Sequence, residues 1–162
     1  YDHKFTYSNI GYNLKATDLQ ASIGVAQMDK LDKFVVKRKN NWEKINDFIS
    51  SKDKYFIPHE ATENSDPSWF GYAITIRDGV SFSREKLLNY LNENRIDTRL
   101  MFGGNLIKQP AYESKNYIIN GSLHNADKVM NDTFWIGVYP GITDEMIEYV
   151  KEKFESFLTE NK

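Results

Sequence analysis

A long apolar stripe sets the frame for what this chain can fold into. Thr17 is a candidate N-cap with Gln20 three residues on, the spacing of a capping box, and no proline occurs before Pro58. Ala21, Gly24, Met28, Leu31, Val35, Trp42, Ile45 and Ile49 recur at alternating three- and four-residue steps, interrupted only where Arg38 takes the seam position. The spacing predicts one helix of about 33 residues from Thr17 to about Ser50, roughly 50 Å long. A single domain of 162 residues has no need of so long a helix. It is therefore expected to join two structural units rather than stand as a free coiled coil.

Beyond it, short strands alternate with helices. Tyr55-Phe56-Ile57, Trp69 to Ile76, Arg95 to Leu100 and Thr133 to Val138 read as strands, broken by Asp78-Gly79, Phe102-Gly103-Gly104-Asn105 and Pro140-Gly141. Glu60 to Pro67 is a polar loop, and Tyr117 to Ile119 before Asn120-Gly121 is a candidate arm of a tight turn. Phe82 and Ser83 offer a staple and N-cap to a helix through Leu87, Leu88 and Leu91, and Asn125 to Met130 reads as a short helix. Thr143 caps a last amphipathic helix that turns Met146, Ile147, Val150, Phe154, Phe157 and Leu158 inward. Short strands with short connections fit an α/β fold, a two-layer sandwich with helices on one face of a small sheet. Trp69 and Trp135 are expected in its core.

Charge narrows the function classes. A net charge of −2 gives no lean towards nucleic acid, and Lys37-Arg38-Lys39, set among acids on the long helix, reads as a solvated face. The absence of cysteine excludes disulfides, thiolate metal sites and a cysteine nucleophile within this sequence. No run approaches the ~18 apolar residues of a membrane helix, and Tyr1-Asp2-His3-Lys4 lacks the layout of a signal peptide, so a cytoplasmic location without a membrane partner is expected. His3, His59 and His124 are too far apart for a helical metal pair and read as surface or loop histidines. No nucleophile elbow, Walker loop or dinucleotide fingerprint is present, and no catalytic residue is assigned. Periodicity and composition alone lead to a globular ligand-binding or dimerisation module.

Four segments carry more. Gly11-Tyr12-Asn13-Leu14-Lys15-Ala16-Thr17-Asp18-Leu19-Gln20-Ala21 resembles the G-Y-N-x-[RK]-x-[ST]-x-x-Q-A signature of the DegT/DnrJ/EryC1/StrS sugar aminotransferase family. The stretches from Ala61 to Gly71, Thr98 to Leu106 and Asn131 to Gly141 resemble a narrower branch, the CDP-4-keto-6-deoxyglucose 3-dehydrases of lipopolysaccharide sugar synthesis. They amount to 42 of the 162 residues, spread in the family's order from Gly11 to Gly141.

The resemblance implies the aspartate-aminotransferase architecture, pyridoxal phosphate (PLP) fold type I. Residues 1–16 would end a large cofactor domain, 17–50 form the connecting helix, and 51–162 make the small carboxy-terminal α/β domain. An upstream part would carry the aspartate for the pyridinium nitrogen and, in the dehydrases, a histidine where aminotransferases keep the Schiff-base lysine. The implied reaction removes the C3 hydroxyl of a CDP-bound hexulose, with pyridoxamine phosphate (PMP) as electron sink. On this reading the isolated chain is inactive and holds no cofactor tightly. A homodimer, a reductase partner and a 2Fe-2S cluster on upstream cysteines are further implications. Asn13 is implied to reach the cofactor phosphate of the neighbouring subunit. Arg99 is implied to clamp a phosphate or sugar oxygen, a surface ion pair being the alternative. Phe102 and Asn105 stand where family aminotransferases carry an active-site loop with H-Y, and substrate contact is the role implied, although no histidine stands there. A glutamate-dependent sugar aminotransferase and a non-catalytic binding module are the competing functions. Upstream, lysine or histidine separates the first rival from the dehydrase.

Overall fold

A computed structural model describes residues 11, 12 and 14–162. The chain divides into two compact units, residues 1–33 and 34–162. In the first, the capping box forms as the sequence predicts: Thr17 N donates to Gln20 Oε1 at 3.0 Å, and Gln20 N donates to Thr17 Oγ1 at 3.3 Å. Helix α1 (Asp18–Ser50) begins there and runs for 33 residues. Leu19, Ile23, Met28 and Leu31 are exposed; the apolar stripe becomes buried only at Ile45 and Ile49.

The second unit adds β1 (Phe56–Ile57), β2 (Gly71–Ile76), α2 (Arg84–Glu93), β3 (Thr98–Leu100), α3 (His124–Asp132), β4 (Thr133–Gly137) and α4 (Asp144–Glu160). The strands form one antiparallel sheet in the order β1-β2-β4-β3. Because strand side chains alternate between faces, Tyr72, Ile74 and Ile76 share one face with Phe134 and Ile136, and all five are buried. Ile45 and Ile49 of α1, Leu87 and Leu91 of α2, and Phe154, Phe157 and Leu158 of α4 complete the core. This is the two-layer α/β arrangement read from the sequence. The opposite face presents Gly71 and Ala73 of β2, Trp135 of β4 and Arg99 of β3, with Trp135 in register with both Ala73 and Arg99.

Local signals decide the helix starts. Ser83 accepts a hydrogen bond from Lys86 N at 3.2 Å, and Thr143 accepts one from Met146 N at 3.3 Å, so both act as the N-caps expected of them. Strand ends depart from expectation. Arg95 adopts a φ of 61° and Ile96 N bonds to Leu91 O at 2.9 Å, so this stretch closes α2 and β3 starts only at Thr98. Tyr117 to Ile119 forms no strand and lies in a fully exposed stretch, residues 111–122. Met146 is half-exposed in the first turn of α4, outside the inward set, and Trp69 and Trp135 are half-buried rather than core.

The basic run on α1 is engaged rather than solvated. Lys37 Nζ lies 3.7 Å from Asp144, Lys39 pairs with Asp66, and Arg38 donates to Trp69 O at 3.2 Å. Arg38 breaks the apolar seam because it anchors the loop before β2. No helix among the described residues is long and apolar enough to cross a membrane.

Candidate functional site

The loop after β3 is held from several sides. Phe102 N donates to Leu100 O at 2.8 Å and Gly104 N to Met101 O at 3.3 Å, folding the chain back as soon as the strand ends. Gly104 has a φ of 60°, and a Cβ there would sit 2.4 Å from Met130 Cβ, so only glycine lets this backbone rest on α3. Asn105 is buried and donates to Asp127 Oδ1 at 2.7 Å; Lys108 Nζ reaches the same oxygen at 2.7 Å. The Lys108 hydrogen bond, and then that of Asn105, hold the Asp127 carboxyl below the usual carboxylate range. Gln109 Nε2 donates to Gly103 O at 2.8 Å. At the tip, Phe102 takes a φ of 47° with its ring 88% exposed, a left-handed conformation that is costly for an aromatic residue.

Two concavities flank Trp135. A groove of about 650 Å³ runs along β3 and the start of α4, between Arg95, Arg99, Trp135, Tyr139, Met146 and Tyr149. A smaller recess of about 180 Å³ lies over Gly71 and Ala73, walled by His59, Trp69, Phe70, Met101, Phe102 and Trp135. Gly71 is what lets the indole lie across β2, since a Cβ there would fall 2.4 Å from Trp135 Cε3. Asn41, fully buried on α1, donates to Tyr139 O at 3.0 Å and so fixes the turn behind the groove.

The site residues expected from the sequence therefore fall in distinct places. Arg99 lines the groove with its guanidinium exposed and 2.8 Å from Asp97. Phe102 walls the recess. Asn105 sits beneath the loop with its amide nitrogen on Asp127. Asn13 lies outside the described residues. Trp135, Gly71 and Asn41 went unnoticed as site residues. For Trp135 a signal existed, because it alternates with Phe134 and Ile136 and must face away from the core they fill.

His59 lies in the loop between β1 and β2, as expected of a surface or loop histidine, but it is half-buried there. Its ring lies 4.1 Å from Trp69 and 6.2 Å from Trp42, centroid to centroid, and its Nδ1 is buried without a hydrogen-bond partner among the described residues. Burial lowers its pKa; burial likewise pushes the neighbouring Tyr72 hydroxyl up to about 12. Below pH 6.5 the unfolded chain then binds a proton that the folded chain refuses. Stability from this residue is complete above pH 6.5 and declines as pH falls towards the lowered folded value. We expect the melting temperature to drop between pH 7.5 and 5.5, and His59→Phe, which keeps an aromatic ring, to flatten that drop. An equal drop in the variant would assign it to other groups.

The described residues do not make a pyridoxamine phosphate site on their own. The groove contains no lysine or histidine to move a proton, and Asp97, one of its carboxylates, is engaged with Arg99. His59 walls the recess, but no cationic side chain lines it to receive a phosphate.

Comparison with known proteins gives a consistent answer. Residues 1–155 match the model of the DegT/DnrJ/EryC1/StrS aminotransferase family. The chain is 48% identical over 157 residues to the lipopolysaccharide biosynthesis protein RfbH of Salmonella typhimurium, covering 97% of this chain and 36% of that protein. It is 47% identical over 161 residues to a dTDP-4-dehydro-2,6-dideoxy-D-glucose 3-dehydratase of Saccharopolyspora spinosa, covering 99% and 35%. It thus spans little more than a third of the length of the curated relatives it matches. The crystal structure of GDP-4-keto-6-deoxymannose-3-dehydratase with a trapped PLP-glutamate geminal diamine superposes with a TM-score of 0.79 at 25% identity, over 92% of this chain and 38% of that one. An aminotransferase from Psychrobacter cryohalolentis shares the fold, with a TM-score of 0.82 at 16% identity over 99% and 44%. With this fold, and with that family's model matched along almost its entire length, the chain belongs to the DegT/DnrJ/EryC1/StrS aminotransferase family.

Proposed function

We propose that this chain is the carboxy-terminal part of a pyridoxamine phosphate-dependent nucleotide-sugar 3-dehydrase, one that removes the C3 hydroxyl of a CDP-4-keto-6-deoxyhexose. The observation that carries the reading is the near-complete match at 47% identity to a sugar 3-dehydratase, against 24% to a GDP-perosamine synthase of Escherichia coli. The cofactor, when bound, supplies the electron sink. On this reading α1 is the connecting helix, the residues before it end the cofactor domain, and the active unit is a homodimer in which Asn13 reaches across to the partner's cofactor phosphate. Arg99 and Phe102 meet the substrate, and Asn105 acts from beneath the loop by holding it on Asp127. A reductase partner and an upstream 2Fe-2S cluster belong to the same reading.

The deciding experiment expresses the complete reading frame, supplies pyridoxamine phosphate and CDP-4-keto-6-deoxyglucose, and identifies the sugar released. A C3-deoxy product is expected. An amino sugar formed at the expense of glutamate would replace this reading with transamination. In the same protein Asn13→Ala should weaken cofactor retention about tenfold, the usual cost of losing a hydrogen bond to a charged group. The 162-residue chain alone should show no micromolar cofactor binding.

A further inference from the structure

We propose that the recess between Phe70, Phe102 and Trp135 is the seat of the nucleobase. This deepens the dehydrase reading and rests on it, because it takes the substrate to be a nucleotide sugar. At about 180 Å³ the recess falls below the roughly 300–1,000 Å³ of sites that enclose whole small molecules, so it accommodates one planar group. Its walls are rings apart from Met101, and its floor is Gly71 and Ala73, which raise no side chain into it beyond a methyl. Trp135 lies across the sheet at Gly71, and Phe70 meets it at 5.0 Å between centroids with the planes at 56°, leaving the Phe70 ring 73% exposed.

Phe102 gives the independent observation. A largely exposed aromatic ring on a left-handed backbone is costly both in hydration and in strain, yet three side-chain polar contacts, one close backbone packing and two backbone hydrogen bonds around it hold the loop in place. Here these are the Asn105 and Lys108 contacts to Asp127, the Gln109 bond to Gly103, the packing of Gly104 on Met130, and the Phe102 and Gly104 amide bonds. Such a ring is presented to something that covers it. Every nucleobase offers a π-face, and stacking on an aromatic side chain tolerates many bases. Arg99, in register with Trp135 on the same sheet face, presents an exposed guanidinium on the other side of the indole, where a diphosphate would meet it.

The test uses this chain, its tryptophan indole and backbone N–H signals followed by NMR as CDP, dTDP, GDP or base-free pyrophosphate is added. The nucleotides should shift the Trp135 indole and residues 101–104; pyrophosphate should shift only the surroundings of Arg99. Phe102→Ala and Phe70→Ala, both at exposed rings, should each weaken the nucleotides about tenfold and leave pyrophosphate unchanged. The ranking of CDP and dTDP against GDP tells whether the recess fits a pyrimidine or a purine. Nucleotides that bind no better than pyrophosphate, or equally well to both variants, would overturn the recess as the base site. Silence of all three nucleotides at roughly ten millimolar would overturn it too. The dehydrase reading is decided separately, by the sugar product.

Discussion

Truncating Phe154 to alanine is expected to cost about 3–5 kcal/mol of folding stability. The side chain is fully buried in α4 at the point where α1 and the sheet meet, 5.8 Å from Phe56 and 6.2 Å from Phe48 between ring centroids, both edge-on. Three elements lose their contact at once, and none of the neighbouring rings can rotate into the gap without abandoning its own packing. Domains of this size are stable by about 5–15 kcal/mol, so the loss removes a large share of the total. Urea titration reads the effect as a midpoint lowered by about 2 M at an unchanged slope. A loss below about 1 kcal/mol would mean that α4 shifts to close the cavity, and that the helix is less firmly seated than its burial implies.

Gly104→Ala is expected to be nearly as damaging, at roughly 2–5 kcal/mol, because left-handed strain and a backbone collision add. The new Cβ would stand 2.7 Å from Met130 Cα as well as 2.4 Å from its Cβ, so no rotamer change relieves it. Either the loop lifts or α3 moves, and α3 runs directly into β4 at Thr133. Gly103→Ala is the matched control: its nearest foreign atom would be Leu106 Cδ2 at 3.5 Å, and a change within about 0.5 kcal/mol is expected. Equal melting temperatures for the two variants would show that the loop yields freely and is not the rigid presenter of Phe102 described above.

What the sequence disclosed follows the range of the forces involved. The capping box of Thr17 and Gln20, the Ser83 and Thr143 caps and the helices they start depend on neighbours within one turn, and these were legible. The start of β3 was not, because Ile96 finds its partner in Leu91 of the preceding helix and so leaves the stretch from Arg95 to Leu100 that reads as strand. Arg38 read as a flaw in a stripe until its acceptor, the carbonyl of Trp69, was in place. Asn41 gives no local sign of being a buried clamp on Tyr139, since the two meet only through the fold. At the site, Arg99 and Phe102 came from family resemblance. The recess they adjoin depends on the pairing of β2 with β4, which sets Gly71 and Trp135 on one face.

That pairing has a further consequence. β2 and β4 are neighbours in the sheet, yet between them in sequence lies the belt of residues 111–122, every one exposed. Scission there would leave one piece with α1, β1, β2, α2 and β3 and another with α3, β4 and α4. The second piece carries a single strand, while the first carries β3 with no partner, since β3 pairs only with β4. Tyr72, Ile74, Leu87 and Leu91 go with one piece, and Phe134, Ile136, Phe154 and Phe157 with the other. Cut there, the molecule would hold together only as a non-covalent heterodimer of its own halves, for which dissociation and unfolding are the same event, so its stability would depend on concentration through that association.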